Sequence, residues 1–219
     1  MKIAIIGATG FVGAPVLVEL LQRPCVEVTA IVRRTEALLP HPQLTAKSCD
    51  IFDTAALAEA LAGHDAVIHA YHPGRGVITD DVFEKSVAGH KAILAAVKQA
   101  GLSRLVCVGG AASLKTPEGV EYIDSSLWNR DFDPFKPAIL GTRALYYLLK
   151  DERELDWVFL APSVQLQPGE RTGKFRIGTD ELLLDENGES RISLEDYAVA
   201  MADEVLRPRH HRQRFTVGY

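Results

Sequence analysis

The sequence predicts an α/β fold, a doubly wound parallel sheet with helices on both faces and a small extension near the C-terminus. Three observations lead to this prediction. Short apolar segments rich in β-branched residues alternate with segments of helical periodicity along most of the 219 residues. The first of them, residues 3–6, is apolar at every position, which is typical of a parallel strand buried on both faces. A glycine-rich turn follows it directly, and then a helical pattern over residues 15–21.

Composition limits the classes of protein to which the chain can belong. A hydrophobic fraction of 47% suffices for a substantial core, so residues 1–219 are treated as one domain, with 163–193 as a substrate-side insertion. The net charge of −5 argues against nucleic acid as a partner. No apolar run approaches the roughly 20 residues of a membrane-spanning helix, and Met1 leads directly into the first strand. We therefore expect no membrane association, no signal peptide and a cytoplasmic location.

The cysteines and histidines carry no metal or disulfide signature. The three cysteines are far apart in sequence and are expected to stay reduced and mostly structural; they are Cys25, Cys49 and Cys107. The seven histidines show none of the spacings that zinc sites use. We therefore predict no metal site.

The residues after the first strand carry the strongest motif of the chain. Gly7, Gly10 and Gly13 are spaced G-x-x-G-x-x-G between a strand and a helix, which is the context of a dinucleotide-binding turn. The first glycine permits the tight turn, the second lets the backbone approach a pyrophosphate, and the third lets the helix pack closely on the strand. The helix N-terminus also favours phosphate groups. We interpret the turn as a nucleotide site rather than a purely structural one, with contacts from Gly7, Thr9, Gly10, Phe11, Val12 and Gly13.

The end of the second predicted strand, residues 26–32, bears on which nucleotide binds. An acidic residue at this place accepts hydrogen bonds from both ribose hydroxyls and favours NAD, whereas an arginine pairs with the 2′-phosphate and favours NADP. Arg33 and Arg34 stand there, and no Asp or Glu does. We therefore predict a preference for NADP(H), with NAD(H) as the alternative. One of the two arginines is expected to be an ordinary solvated charge.

A short third strand over residues 46–49 leads to the expected adenine side of the site. It ends at Asp50, which would accept a hydrogen bond from the adenine amino group, and at Ile51, which would pack against the ring. Asp53 or the residue after it is expected to cap a helix over residues 55–62.

The fourth strand, residues 66–70, leads to the expected nicotinamide side. Its carboxyl end carries Ala70, Tyr71 and His72, which lie near the nicotinamide if the strand neighbours the first one. His72 is either a site residue or a plain loop histidine. His69 is expected to be a buried, hydrogen-bonded core residue.

The fifth strand, residues 104–108, follows a long helix over residues 79–100 and ends in small residues. Gly109 and Gly110 would let a ligand approach the backbone there. Ser113 would then point into the same cleft as a hydrogen-bond donor, and it is the candidate residue of the catalytic centre. The alternative is a turn or capping serine.

Residues 114–137, called the lid segment below, have no clear period and contain Trp128. A long aromatic loop over the cleft of an α/β sheet often forms a substrate lid, but its aromatic residues could also simply cover the core. Pro162 and Ser163 follow the sixth strand and complete the predicted substrate residues, which are Tyr71, Ser113, Trp128, Pro162 and Ser163. The remaining elements are predicted as helices over 137–152 and 194–206, strands over 156–161 and 215–217, and a hairpin from 174–177 and 182–184.

Five stretches distributed over the chain carry a family resemblance, and they read IAIIGATGFVG, LAGHDAVIHA, LDWVFLAPS, PGERTGKFRIG and GESRISLEDYAVAMADE. The chain resembles the atypical branch of the short-chain dehydrogenase/reductase superfamily over its whole length. Within that branch it is similar to the NAD(P)H-dependent flavin reductase-like group, which includes biliverdin reductase B-like and NmrA-like proteins. The resemblance implies a Rossmann-like fold, a nicotinamide cofactor in the glycine turn and a substrate pocket near Tyr71, Ser113 and Pro162.

The chain departs from most of that superfamily in its expected acid/base pair. Tyr146 and Lys150 match the pattern Tyr-x-x-x-Lys, but they lie too close to the next strand, and counting back from it places Ile139 and Arg143 at the expected positions. Without such a pair, reduction of an ordinary ketone lacks its proton donor, whereas a flavin or quinone takes its proton more readily from water.

The leading hypothesis is therefore an NAD(P)H-dependent reductase of a small flavin-like or quinone-like acceptor, with FMN or another flavin as a substrate. Two alternatives stay open: a non-catalytic NADP(H) sensor that binds a partner, and an epimerase or dehydratase. The chain is expected to be a monomer or a homodimer.

Overall fold

The computed structural model describes residues 1–74 and 79–219, which form ten strands and five helices. The strands are β1 (Lys2–Ile6), β2 (Glu27–Val32), β3 (Leu44–Ser48), β4 (Ala66–His69), β5 (Arg104–Val108), β6 (Asp156–Pro162), β7 (Gln165–Gln167), β8 (Arg176–Gly178), β9 (Arg191–Ser193) and β10 (Gln213–Gly218). The helices are α1 (Gly13–Leu21), α2 (Thr54–Leu61), α3 (Val82–Gln99), α4 (Lys136–Asp151) and α5 (Leu194–Leu206).

Eight of these strands form one sheet in the order β3-β2-β1-β4-β5-β6-β10-β8. Every neighbouring pair is parallel except β10 and β8, which are antiparallel. The predicted doubly wound parallel sheet is confirmed, and β1 lies between β2 and β4. The direction of winding therefore reverses beside β1, and ligands of such sheets bind beyond the carboxyl ends of the strands at this point.

The alternating residues of β1 show why this strand lies at the centre of the sheet. Ala4 and Ile6 belong to the core on the side of α2, α3 and α4, while Ile3 and Ile5 belong to the core on the side of α1 and α5. All four side chains are essentially inaccessible to solvent. An apolar residue at every position is what a strand covered by helices on both faces requires.

Several element boundaries differ from those that the sequence predicts. β3, at Leu44–Ser48, begins two residues and ends one residue earlier than expected, because its register is set by pairing with β2 rather than by its own weak, exposed pattern. The long third helix starts at Val82 rather than at residue 79. The last helix, Leu194–Leu206, has the predicted bounds, and the Ser193 hydroxyl accepts the Asp196 N–H at 3.0 Å as its cap. Asp53 likewise caps α2 through the Ala56 N–H.

The predicted hairpin of residues 174–177 and 182–184 is wrong. Arg176–Gly178 instead pairs with β10, on the edge of β10 that faces away from β6. Leu182 donates its N–H to the Lys115 carbonyl, so this segment joins the lid segment rather than a strand. β7 and β9 form a separate two-stranded parallel ladder that the sequence pattern does not indicate, because each strand has only three residues.

A buried ion cluster holds the amino ends of β5, β6 and β10 together, on the edge opposite to the carboxyl ends. The guanidinium of Arg104 donates to the carboxylates of Glu204 at 2.6 Å and Asp156 at 3.0 Å, and to the His210 carbonyl at 2.9 Å. The side chains of Arg104 and Glu204 are only 8% and 3% exposed. The cluster is therefore a structural tie rather than part of a ligand site. None of the helices in the described part of the chain has the length and apolarity to cross a membrane.

Candidate functional site

The glycine turn after β1 is shaped by close packing of backbone on backbone. Gly7 has a φ of +86°, which a residue with a side chain rarely adopts, and a Cβ there would lie 2.7 Å from the Ala70 carbonyl carbon. The Gly10 N–H donates to the Gly7 carbonyl at 2.9 Å. A Cβ at Gly13 would overlap the Gly7 carbonyl oxygen and lie 2.9 Å from the Gly7 carbonyl carbon. Glycine is therefore required at Gly7 and Gly13 by the geometry of the turn and of the helix packing.

The N-terminus of α1 is suited to an anionic ligand. No side chain caps this helix and its first turn holds no acidic residue, as far as the described residues extend. The positive end of the helix dipole is therefore not compensated by the protein. Thr9 is exposed beside it, Phe11 and Val12 are half-buried, and Gly10 lets the backbone be approached closely. The chemistry of these residues suits the pyrophosphate of a dinucleotide, and their contacts with a cofactor stay a prediction.

The ends of β2 and β3 bring the predicted adenosine residues to the same edge. Arg33 and Arg34 are exposed directly after β2, and neither guanidinium has a hydrogen bond or ion pair to the described residues. Asp50 is exposed and accepts the Phe52 N–H at 3.0 Å, while Ile51 is buried in the core. Two cationic side chains are thus free for a ligand phosphate, and Asp50 is partly engaged in its own turn.

Tyr71 lies against α3, on the nicotinamide side of the switch point. A Cβ at Gly89 would lie 2.7 Å from the ring carbon Cζ of Tyr71, so only glycine in the helix lets the ring pack there. Burial raises the pKa of Tyr71, and the Arg33 charge acts in the opposite direction. Tyr71 and Arg33 both follow parallel strands, β4 and β2, and therefore lie at the same carboxyl edge of the sheet. Ala70 precedes the ring, its N–H held by the Ile6 carbonyl at 2.9 Å.

A pair of buried histidines, His69 and His90, packs beside Tyr71. The Tyr71 N–H donates to Nδ1 of His69 at 3.3 Å, and Nε2 of His69 lies 3.0 Å from Nδ1 of His90 on α3. Burial keeps the pKa of His69 well below its usual range and lowers the pKa of His90 to about 4. Both rings are therefore neutral at neutral pH. His69 is the buried core residue that the sequence predicts, and no sequence signal singles out His90. His72 is exposed and accepts the Gly74 N–H at 3.3 Å.

A cavity of about 210 Å³ lies beyond the carboxyl ends of β5 and β6. Its inner wall consists of strand-end residues and its outer wall of aromatic residues from the lid segment. The full lining is Gly109, Gly110, Ala111, Ala112, Tyr122, Trp128, Phe132, Ile139, Thr142, Pro162, Ser163, Val164 and Leu166. The structure thus brings together five of the predicted site residues, which are Gly109, Gly110, Trp128, Pro162 and Ser163.

The lid segment is an ordered wall and not a featureless loop. It contains two 3₁₀ turns, Tyr122–Asp124 and Arg130–Phe135. Trp128 packs between Tyr122 and Phe132, with ring centroids 5.3 and 5.8 Å away. Trp128 and Tyr122 belong to the core and also line the cavity, so these aromatic residues do cover the core, and the substrate lid stays a prediction.

Ser113 has a different environment from the one that the sequence predicts. Its side chain is 1% exposed, it is not among the cavity-lining residues, and Nη1 of Arg214 donates to its Oγ at 2.9 Å and to its carbonyl at 2.7 Å. Arg214 also lies over the ring of Tyr146, 4.3 Å from its centroid, and donates to Asp180. Ser113 therefore ties the turn that precedes the lid segment to β10, and a role for it in catalysis stays a prediction.

The residues of the Tyr-x-x-x-Lys match lie outside this lining. Tyr146 packs on Phe159, with a centroid distance of 5.2 Å, and Lys150 is exposed. Ile139 does line the cavity, and Nε of Arg143 donates to Glu121 at 2.6 Å. No group of three or more histidine, cysteine or acidic side chains in residues 1–74 and 79–219 could hold a metal ion.

Comparison with known proteins agrees with this geometry. The model of a family described as NAD(P)H-binding matches residues 7–205. The chain is 34% identical to the uncharacterized protein YwnB of Bacillus subtilis, covering 99% of this chain and 98% of that protein.

Two solved structures extend the comparison. A "putative epimerase" from Bacteroides thetaiotaomicron is 40% identical, with a TM-score of 0.89 over 100% of this chain and 96% of that one. A "putative NADH-flavin reductase" from Streptococcus pneumoniae is 28% identical, with a TM-score of 0.83 over 100% and 99%. The family model and these relatives show that the chain belongs to the NAD(P)H-binding family, which is consistent with its resemblance to the atypical short-chain dehydrogenase/reductase group.

Proposed function

We propose that this protein is an NAD(P)H-dependent reductase that transfers hydride to a small aromatic acceptor, flavin-like or quinone-like. The observation that carries the proposal is the aromatic-walled cavity beyond β5 and β6, on the same sheet edge as the glycine turn. An aromatic wall beside the expected nicotinamide suits a flat acceptor that stacks in line with it. The flavin-reductase name of one relative supports the same activity.

The glycine turn and the two arginines would hold the cofactor. Gly10 and the N-terminus of α1 would bind the pyrophosphate. Arg33 or Arg34 would bind the 2′-phosphate of NADP(H), and this contact would favour NADP(H) over NAD(H). Asp50 and Ile51 would contact the adenine. When bound, the reduced nicotinamide supplies a hydride, so that the acceptor gains two electrons and one proton from it and a second proton from water.

The residues near the cavity favour an acceptor that needs no protein acid. Ile139 occupies the lining at the place where the superfamily tyrosine is expected, and Tyr146 lies outside the lining. Quinones and flavins delocalise the added charge. The chain therefore needs only to hold the acceptor ring in line with the nicotinamide and to exclude unproductive orientations of the acceptor. Tyr71 and Ser163 are proposed to border the acceptor, and Ser113 to act through the lid segment.

An epimerase or dehydratase is the second candidate, because a relative of 40% identity carries an epimerase name. That chemistry requires an acid/base pair, and the only Tyr-x-x-x-Lys match, Tyr146 with Lys150, would have to reach the substrate from outside the lining. A non-catalytic NADP(H) sensor is the third. We also propose a cytoplasmic location, since Cys25, Cys49 and Cys107 form no disulfide within the described chain, and a monomer or homodimer.

The first experiment follows NADPH and NADH oxidation with riboflavin, FMN, 2-methyl-1,4-naphthoquinone and no acceptor. We expect oxidation only with an acceptor and faster with NADPH. Tight NADPH binding with no oxidation by any acceptor would contradict the reductase and support the sensor.

A pair of variants tests the cofactor preference. The double variant Arg33→Ala/Arg34→Ala should weaken NADPH binding at least about tenfold. It should leave NADH binding within about twofold of the wild type, because only NADPH carries the 2′-phosphate. Arg153→Ala is the matched control, since Arg153 is also exposed and lies just before β6, at the opposite sheet edge. Equal losses for both cofactors would contradict the assignment.

A further inference from the structure

The polar side chains around the cavity are already hydrogen-bonded within the protein. Nε1 of Trp128 donates to Asp133 at 2.8 Å, and the hydroxyl of Ser163 donates to the Val217 carbonyl at 2.9 Å. The Thr142 hydroxyl donates to the Ala138 carbonyl at 3.5 Å, at the long end of hydrogen-bond distances. The donor hydrogens of these three groups are therefore already used and are not available to an anionic substituent of a ligand.

The Tyr122 hydroxyl is engaged as an acceptor rather than as a donor. It accepts the Asn129 N–H at 3.2 Å, which fixes the ring against Trp128 but does not use the hydrogen of the hydroxyl itself. The lining as a whole contains no charged side chain within residues 1–74 and 79–219. An anionic group that entered would lose its hydration and find no cation to replace it, which is costly at a buried site.

The segment that covers the cavity is acidic. Residues 114–137 carry five acidic and three basic side chains, and Asp131 and Asp133 flank Phe132 of the lining. Arg130 lies 3.8 Å from Asp133 and Glu121 is paired with Arg143, whereas Lys136 lies 5.6 Å from the Trp128 ring centroid and keeps its positive charge. The excess of acidic over basic side chains in the segment disfavours the approach of an anion, and salt screens this exposed field.

The cavity is also small. Its volume of about 210 Å³ is below the roughly 300–1,000 Å³ of pockets that enclose drug-sized ligands. It accommodates a compact ring system, and any long substituent must extend past the acidic lid segment.

We propose that the acceptor cavity selects an uncharged planar ring and discriminates against acceptors that carry a phosphate, sulfonate or carboxylate. This inference rests on the proposed function for its biological meaning. The binding selectivity itself is a property of the chain and can be measured without cofactor. It places uncharged quinones and riboflavin ahead of FMN as acceptors.

The test uses pairs of probes that share a ring and differ in charge. Quenching of tryptophan fluorescence measures the affinity of anthraquinone-2-sulfonamide against anthraquinone-2-sulfonate, which have similar size, and of riboflavin against FMN. We expect the anionic member of each pair to bind at least about tenfold more weakly. The difference should shrink between about 0.01 M and 1 M salt, because the Debye length falls from roughly 30 Å to 3 Å. Trp128→Phe should abolish most of the quenching, since the second tryptophan, Trp157, lies outside the lining.

Two charge variants locate the effect. Asp131→Lys should improve sulfonate binding at least about threefold relative to the sulfonamide. Asp151→Lys makes the same charge change at the far end of α4, about 24 Å along a helix of 16 residues, and should leave the ratio unchanged. Equal affinities within each pair, or an equal response to both variants, would overturn the proposal.

The outcomes for the proposed function are separate. Uncharged probes that bind selectively while no acceptor is reduced would refute the reductase and leave the cavity selectivity standing. Rapid reduction of FMN with a kcat/KM above that of riboflavin would support the reductase and overturn the selectivity.

Discussion

Replacing Gly13 by alanine tests whether backbone packing sets the glycine turn. Gly13 is the first residue of α1, and on helix propensity alone an alanine there should stabilise the protein by up to about 1 kcal/mol. The structure predicts the opposite sign. The new Cβ would overlap the Gly7 carbonyl oxygen and lie 2.9 Å from the Gly7 carbonyl carbon, where ordinary contact begins at 3.4 Å. The helix must therefore move away from the turn by at least about 0.5 Å.

The magnitude follows from the two opposing effects. Overpacking against unyielding groups costs about 1–3 kcal/mol, and here the groups are backbone atoms that cannot change rotamer. Because these atoms cannot yield, the upper part of that range, about 2–3 kcal/mol, applies, and subtracting the propensity gain of about 1 kcal/mol leaves a net loss of about 1–2 kcal/mol in the free energy of unfolding. Because the displaced turn is also the proposed pyrophosphate site, NADPH binding should weaken at least about tenfold.

Urea unfolding and NADPH titration of three alanine variants measure these effects. Gly74→Ala is the control, because a Cβ there meets no described atom within 4 Å. Gly10→Ala is intermediate, with the Gly7 carbonyl oxygen at 3.2 Å. From the most to the least stable, we expect the order Gly74→Ala, Gly10→Ala and Gly13→Ala. A Gly13→Ala protein as stable as the wild type would refute the packing argument.

Three further predictions concern other parts of the chain. Arg104→Met should lower the free energy of unfolding by about 3–5 kcal/mol, because it leaves the Glu204 carboxylate buried without its guanidinium; a loss below about 1 kcal/mol in urea unfolding would show that the cluster is not a tie. Since the pKa of His90 falls from 6.5 unfolded to about 4 folded, the unfolded state binds more protons between these values, and stability should fall by up to about 3 kcal/mol as the pH drops through this window. His90→Gln should flatten that part of the stability profile, and an unchanged profile would exclude His90 as its source. Tyr146→Phe should leave kcat within about threefold of the wild-type value, because Tyr146 lies outside the cavity lining. A hundredfold loss would support the epimerase or dehydratase hypothesis instead.

The glycine spacing and the strand–helix alternation were readable without the structure because their signals are local. Ile3 to Ile6 are apolar at every position, and a strand with that pattern has no solvent-facing side wherever it lies. Gly7 and Gly13 follow at distances fixed by one tight turn and the first turn of a helix. Ser193 caps the last helix three residues from the N–H that it accepts. In each case sequence neighbours are also the partners in space.

The surroundings of the site depended on partners that are far apart in sequence. Ser113 accepts a hydrogen bond from Arg214, 101 positions away, on the strand β10 that lies beside β6. Gly89 shows no local reason to be glycine until Tyr71 is found against it.

The same holds for the edge of the sheet and for the cavity wall. Arg176–Gly178 pairs with the edge that β10 leaves free, so the hairpin expected from its neighbours does not form. Trp128, Tyr122 and Phe132 come together only when the lid segment packs on the core. The sequence by itself therefore determined the fold class, the central strand and the glycine turn, since periodicity and glycine geometry act over a few residues. Only the tertiary structure decided which side chains line the cavity, because that depends on which strand edges and helix faces remain to be covered once the sheet is complete.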